Sequence, residues 1–398
     1  MPDYDVIVVG ARCGGAPTSM LLARAGYRVL LLDRATFPSD TLSTNYIHQP
    51  GVARLARWGL LDQVVASGCP PLERMRYRLG DVELSGCASG VDGHRAAYAP
   101  RRHVLDKILV DAAVVAGVEL REGASVSGLR RRGERVTGVE YTASGPRHTA
   151  DATLVVGADG MRSTVARLAG ARRRISDARM TCAYYTFWED VPADFELYES
   201  PGRWVGAVPT HDNATLVATY FPQDEFASIR SRAKETYLET IRTTAPGLWE
   251  RMEGKRQTER LRGTGDQQNF FRTAHGPGWV LVGDAGHHKD SISARGITDA
   301  FLQAELLTEG IGTDLHDEEL LDKALHTFGE QRDQELMESY QATLTVARLD
   351  AREQRTALLR VIQSDPELTV KYFDTVAGIR PIRELYTPEL MARLSPVG

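Results

Sequence analysis

Gly10, Gly14, Gly15 and Asp33 have the types and spacing to hold a dinucleotide. The glycines lie in the stretch DVIVVGARCGGAPTSMLLARAG, and Asp33 follows Gly15 by 18 residues. A tight turn suits Gly10. Backbone N–H groups at a helix start can point at a pyrophosphate, with the helix dipole behind them. Gly15 lets that helix pack close to the preceding strand, and a carboxylate ending the next strand can accept a hydrogen bond from a ribose hydroxyl. Arg12 stands where the second glycine of this fingerprint is expected, so its side chain must point away from the phosphate for the fingerprint to work. The alternative is a βαβ unit that holds no ligand.

The elements that must position these residues are legible around them. DVIVV is a continuous β-branched run, the pattern of a parallel strand buried on both faces. APTSMLLARAG predicts a helix, with Pro17 tolerated in its first turn and Gly26 closing it. YRVLLLD predicts a second buried strand ending in Asp33. Two later stretches repeat the strand-to-helix pattern. DATLVVGADGMRSTVAR carries Asp159, Gly160, Arg162 and Ser163, and GWVLVGDAGHHKDSISARGITDA carries Gly283, Asp284 and Ala285, with a helix expected from about Ala294.

These three stretches in this order resemble the FAD-dependent monooxygenases of the para-hydroxybenzoate hydroxylase type, with their flavin-dependent halogenase and geranylgeranyl-reductase relatives. APRRHVLDKIL adds a match to that family's Arg-x-x-Leu-Asp-x-x-Leu helix. The resemblance covers the chain to roughly residue 310. It implies that Asp33 holds the adenosine ribose, Arg102 contacts the phosphates or ribityl chain, Asp159 braces the cofactor site and the NAD(P)H approach, and Asp284 binds a ribityl hydroxyl. Arg12, Cys13, Gly14, Arg34, Gly283, Gly296 and Ile297 are further cofactor-contacting positions by the same resemblance. The loop HHKDSISARG would run beside the flavin ring, with a helix N-terminus facing the anionic reduced ring. The family usually has proline where Ser291 stands, glycine where Ala294 stands and asparagine where Thr298 stands. Loss of the proline predicts a looser loop. The halogenase branch carries Trp-x-Trp-x-Ile-Pro, but RWVGAVP has one tryptophan, and no lysine matches that branch's early lysine.

The implied fold is α/β: a Rossmann-like FAD-binding domain (1–72, 96–178 and 270–330), an antiparallel-sheet substrate domain (73–95 and 179–269) and C-terminal helices (331–398). RMTCAYYTFWED, FELYES, RWVGAV and ATLVATYFP alternate as strands of a sheet open on one face, joined in one place by the turn PTHDNA. Tyr184, Tyr185, Phe187 and Trp204 could line a substrate pocket. His287 and His288, placed by the Gly283–Asp284 motif, are candidate proton acceptors, since an unperturbed imidazole titrates near pH 6.5. His48 and Gln49 are candidates to face the ring. RRRGER reads as a hairpin tip, and ARRRIS as solvated arginines. Leu320, Leu321, Ala324, Leu325 and Phe328 mark one apolar helix face.

Charge excludes some classes. With 53 acidic and 48 basic residues the chain carries a net −5, which gives no electrostatic case for nucleic acid. No run approaches a membrane span. The four cysteines are scattered without metal or disulfide spacing, so no metal is expected and the cytoplasm is the default compartment. The expected activity is oxidation of a small organic substrate by O2, with FAD reduced by NADH or NADPH directly or through a separate flavin reductase, in a monomer or homodimer. A reductase of a lipid or polyene double bond and a non-catalytic FAD-binding sensor are the alternatives.

Overall fold

The computed structural model describes residues 2–143, 145–351 and 353–394. The strand Tyr4–Val9 lies at the centre of an eight-stranded sheet. It pairs in parallel with Val29–Leu32 on one side and Arg147–Gly157 on the other. Glu119–Arg121 and Trp279–Leu281 extend the parallel order outward, and His275–Gly276 caps it antiparallel. Val6, Ile7 and Val8 are fully buried, as are Leu30, Leu31 and Leu32. Both faces are covered, which is why these strands read as unbroken apolar runs. One face receives Met20 and Leu22 of the helix Gly15–Arg24, Leu105 and Leu109 of Arg102–Val115, and Phe301 of Gly296–Ile311. The other is covered by the hairpin Ala124–Arg132/Arg135–Ala143 and the short helix Thr164–Ala169, through Val139, Tyr141 and Val165. RRRGER is the tip of that hairpin.

A seven-stranded second sheet runs Arg262–Thr264, Thr181–Glu189, Ala214–Pro222, Arg203–Pro209, Phe195–Ser200, Met75–Leu79, Val82–Gly86. All neighbours are antiparallel except Phe195–Ser200 with Met75–Leu79. PTHDNA turns the chain between two of these strands, with Asp212 and Asn213 both at positive φ, as a tight hairpin requires. The expectation of a sheet open on one face is corrected. Tyr237 and Ile241 of the helix Ala233–Thr244 and Leu248 of Pro246–Met252 pack with Tyr184, Val217 and Phe221 on the far face. A third, three-stranded sheet joins Arg173–Asp177, Asn269–Arg272 and His287–His288. It holds the histidine pair in extended backbone.

The long helix Glu318–Val346 starts at Asp317, whose carboxylate accepts from the amides of Glu319 and Leu320 at 3.0 Å each. Leu321, Leu325 and Phe328 enter the first core, but Leu320 is 44% exposed and leaves the expected apolar face. The helices Glu353–Gln363 and Pro366–Ala377 pack instead on the second sheet, with Phe373 against Gly86. Of the stretch expected to be helical, 352 and 395–398 lie outside the described residues. Among the described residues no helix is long and apolar enough to cross a membrane.

Candidate functional site

A cavity of about 680 Å³ runs from the glycine turn, past the helix start at Gly296, to the underside of the second sheet. Gly10 sits at φ +101°, and a Cβ there would lie 2.4 Å from the Ala158 carbonyl oxygen. A Cβ on Gly15 would lie 1.7 Å from the Gly10 carbonyl oxygen. These two glycines are therefore required by the turn itself. Asp33 lines the cavity and locks the same turn, accepting from the Ala11 and Ala35 amides at 2.7 Å each. Each carboxylate oxygen keeps a lone pair for a further donor such as a ribose hydroxyl. Cys13, Gly14 and Arg34 line the wall beside it.

Arg12 answers the question its position raises. Its guanidinium turns onto the fully buried Asp106 and onto Ser39, whose carbonyl and Oγ accept at 3.2 and 3.0 Å, and it lies 5.3 Å from the Phe37 ring. Arg102 Nη2 reaches Asp106 at 2.9 Å, and Cys13 Sγ donates to the same carboxylate at 3.4 Å. One buried carboxylate thus carries two guanidinium groups, leaving an excess positive charge at the wall where a pyrophosphate belongs. Asp106 is a site-shaping residue that the sequence reading did not single out, although its i,i+4 spacing from Arg102 was visible in APRRHVLDKIL.

Asp159 caps the helix Thr164–Ala169. Its carboxylate accepts from the Thr164 and Val165 amides at 2.6 and 3.1 Å and from Ser163 Oγ, while Ser163 accepts from the Ala166 amide. Burial raises its carboxyl above the usual range, against these hydrogen bonds. Arg162 points outward and pairs with Asp266 at 2.7 Å. Gly283, at φ +62°, donates to Gln303 Oε1 at 2.9 Å, and Asp284 beyond it lines the cavity. In ARRRIS, Arg174 pairs with Asp333 at 2.7 Å.

The loop from His287 to Gly296 closes the far end. His287 and His288 both line the cavity. His287 packs 4.4 Å from the Phe271 ring, its Nε2 is buried with no partner among the described residues, and burial holds it far below the usual histidine range, with Lys289 adding to the effect. His288 Nδ1 contacts the Gln268 carbonyl, so Nδ1 carries a proton, and in the neutral ring that leaves Nε2 as the acceptor nitrogen. Gly296 and Ile297 line the wall where the helix begins, and its N-cap residue Arg295 makes no side-chain cap bond, so first-turn amides remain available to a ligand. The helix starts two residues later than expected because Ala294 takes φ +52°. The expectation of a loose loop is also corrected. The Ser291 amide donates to Gln267 Oε1 at 3.0 Å, and the Asp290 amide to Asn269 Oδ1 at 2.7 Å. A proline at 291 could make no such bond.

His48 does not line the cavity. It lies behind the loop, with its amide donating to Thr298 Oγ1 at 3.1 Å and Nε2 3.3 Å from the Ser293 carbonyl, while Gln49 donates to the Arg95 carbonyl. Burial, then the nearby Arg295, pushes His48 down to about 3. His48 and His287 are therefore neutral in the fold. In the unfolded chain each takes a proton near pH 6.5. Through these groups stability is constant above about pH 6.5 and falls as pH drops from there toward 3, by up to about 1.4 kcal/mol per pH unit for each histidine. His48→Gln is expected to flatten that slope. Urea denaturation from about pH 7 to about pH 4 measures it, and equal slopes for the two proteins would refute the assignment.

Of the four aromatic candidates only Tyr185 lines the cavity. Tyr184 faces the opposite side of the sheet against Phe221, Phe187 lies under Arg101, and Trp204 packs on Tyr77. Ala183, Leu216, Ala218 and Tyr220 complete the roof. Period-2 alternation through Tyr185 identifies Ala183. Register with the neighbouring strand, where Tyr185 faces Ala218 and Ala183 faces Tyr220, was needed for the others.

The donor set fits a flavin dinucleotide. The buried Arg102, with the part-exposed Arg12 beside it, stands for the phosphates, carboxylates for the hydroxyls, and an uncapped helix start and the buried His287 imidazole flank the remaining space. Fold and site together define a flavin-dependent oxidoreductase. The chain belongs to the FAD-binding-domain family, whose pattern matches residues 3–341, and FAD is its cofactor. It is similar to tryptophan 2-halogenase of Chondromyces crocatus, 25% identical over 323 residues, which are 77% of this chain and 60% of that protein. It thus spans less than two thirds of the halogenase. It is also similar to digeranylgeranylglycerophospholipid reductase of Methanocella arvoryzae (28% over 311 residues, 75% of this chain and 74% of that protein). A third relative is 6-methylpretetramide 4-monooxygenase of Streptomyces rimosus (24% over 318 residues, 77% and 76%). A flavoprotein/dehydrogenase from Cytophaga hutchinsonii shares the fold at TM-score 0.81 and 19% identity, over 98% of this chain and 96% of that one. PqsL of P. aeruginosa, solved with 2-aminobenzoylacetate, does so at TM-score 0.73 and 19% identity, over 94% and 99%. The matched family and its curated relatives make the chain an enzyme of the oxidoreductase class.

Proposed function

We propose that this enzyme is a monooxygenase, which takes electrons from NADH or NADPH and places one atom of O2 in a small, largely apolar organic substrate. The observation that carries this reading is the continuity of the cavity, in which the dinucleotide wall at Asp33 and Arg102 and the roof of Tyr185, Leu216, Ala218 and Tyr220 enclose one space. The monooxygenase relative from Streptomyces rimosus supports it. Bound FAD supplies the redox chemistry between the nicotinamide and O2. The apolar roof excludes water from that chemistry and orients the substrate over the cofactor. His288, with Nδ1 held on the Gln268 carbonyl, presents Nε2 as a proton acceptor, and His287 adds a neutral imidazole. His48 acts from behind, by holding the Ser293 carbonyl.

In this reading 1–72, 96–178 and 270–330 form the FAD domain and 73–95 and 179–269 the substrate domain. The reductase relative, at 28% identity, favours a second reading, in which the same cavity reduces a double bond of a lipid or polyene. Turnover of a true substrate under isotope-labelled oxygen gas separates the two. The expected product carries one labelled atom. Unlabelled product formed equally well without oxygen overturns the first reading in favour of the second.

A further inference from the structure

We propose that Ser291 sets the hydrogen-bond polarity of the cavity roof. It takes the only proton of the Tyr220 hydroxyl, so Tyr220 offers the substrate an acceptor oxygen and the site selects ligands that carry an O–H or N–H donor. The inference rests on the reading of this cavity as the substrate chamber beside FAD, and not on the type of reaction.

The amide orientation of Gln267 is fixed by backbone groups. The Ser291 amide, 3.0 Å from one end, must donate, so that end is Oε1. The Thr181 carbonyl, 3.3 Å from the other end, must accept, so that end is Nε2, which also donates to Thr181 Oγ1 at 2.8 Å. Ser291 Oγ contacts the same Oε1. An amide oxygen only accepts, so the serine hydroxyl donates to it and its single proton is used. Tyr220 Oη lies 3.1 Å from Ser291 Oγ. With the serine proton committed, this contact is a hydrogen bond only if the phenol donates. The Tyr220 oxygen then keeps acceptor capacity alone.

The surroundings hold that state. Tyr220 is 4% exposed, lines the cavity and is flanked there by Leu216 and Ala218. Burial raises its phenol pKa well above the ordinary value, so the oxygen remains a neutral acceptor. The Asp290 carboxylate accepts from Thr181 Oγ1 at 2.8 Å, which closes the chain from the loop back to the sheet. An O–H or N–H group meets the Tyr220 acceptor, whereas an ether or ketone in the same place sets two acceptors against each other. The position usually taken by proline in this family thus does chemical work as serine.

The test needs no turnover. FAD-loaded protein is titrated with 2-naphthol, 2-methoxynaphthalene and 2-acetylnaphthalene, with binding read from the flavin absorbance. The wild type is expected to bind the naphthol about tenfold more tightly than either acceptor-only analogue. Ser291→Ala keeps the backbone amide on Gln267 but frees the Tyr220 proton. The preference should then fall to about twofold or less, with the ketone gaining affinity. Tyr220→Phe should also abolish it. A preference unchanged in Ser291→Ala, a methyl ether that binds wild type as well as the naphthol, or a naphthol that never perturbs the flavin spectrum each overturns the proposal. Hydrogen–deuterium exchange of the peptide spanning Ser291 and Ile292 is a second reading. It should accelerate in Gln267→Leu, and unchanged exchange there would show that Gln267 does not hold Ser291 and would overturn the proposal. A donor preference with product free of oxygen label would defeat the monooxygenase reading and leave this one standing.

Discussion

Lys289→Met is expected to destabilise the fold by about 3–5 kcal/mol, and Lys289→Met combined with Asp299→Leu to recover most of that loss. The side chains of Lys289 and Asp299 are 3% and 4% exposed. The ammonium also donates to Ser339 Oγ at 2.8 Å. Burial lowers the Lys289 ammonium below its ordinary pKa, and Asp299 opposes that shift. Burial alone would raise the Asp299 carboxyl, but Lys289 and then Arg295 bring it down to about 2. Removing the lysine leaves a buried carboxylate with only the more distant Arg295, whose Nε is 3.6 Å away. Replacing both charges with apolar groups removes the desolvation cost as well as the attraction, so the double variant lies much closer to wild type. Urea unfolding of the single and double variants gives the numbers. A single variant within about 1 kcal/mol of wild type would show that the pair is hydrated rather than buried.

That pair marks a limit of what the sequence conveys. The parallel strands, the glycine turn, the helix Gly15–Arg24 and the Gly283–Asp284 motif were legible because each is local. An apolar run, a turn glycine or a helix stop is written in adjacent residues. Lys289 and Asp299 sit ten positions apart with a turn and a helix start between them, and no periodicity links them. Tyr220 was missed for the same reason. Its place in the roof depends on pairing with Ala183 and on a contact with Ser291, 71 residues away. Ser291 was misread because the rule applied to it was about backbone stiffness alone. In the fold the loop is held by side chains from elsewhere, through Gln267 and Asn269. His48 shows the converse. It was singled out as a candidate to face the ring, but it is the N-cap of the helix Gln49–Arg57, with its backbone amide held by Thr298 Oγ1 and its ring on the Ser293 carbonyl, partners about 250 residues distant in the linear sequence.

Asp284→Ala is expected to weaken FAD binding by about tenfold to a hundredfold. The residue follows a strand, Trp279–Leu281, that is buried along its whole length, and Gly283 before it is tied to Gln303 by its amide. The backbone therefore cannot shift to compensate for a lost side chain. Asp284 lines the cavity, and the resemblance assigns its carboxylate to a ribityl hydroxyl. One hydrogen bond to a charged group contributes about 1.5–3 kcal/mol, which is that range of affinity. Arg12→Gly provides the contrast. Its guanidinium faces Asp106 and Ser39, and Arg102 remains on Asp106 when Arg12 is gone, so the loss in affinity should stay below about tenfold. Fluorescence titration of the apoprotein with FAD measures both variants. An unchanged dissociation constant in Asp284→Ala would remove that residue from the cofactor site. A larger loss in Arg12→Gly than in Asp284→Ala would mean that the guanidinium leaves Asp106 and grips the pyrophosphate when FAD binds.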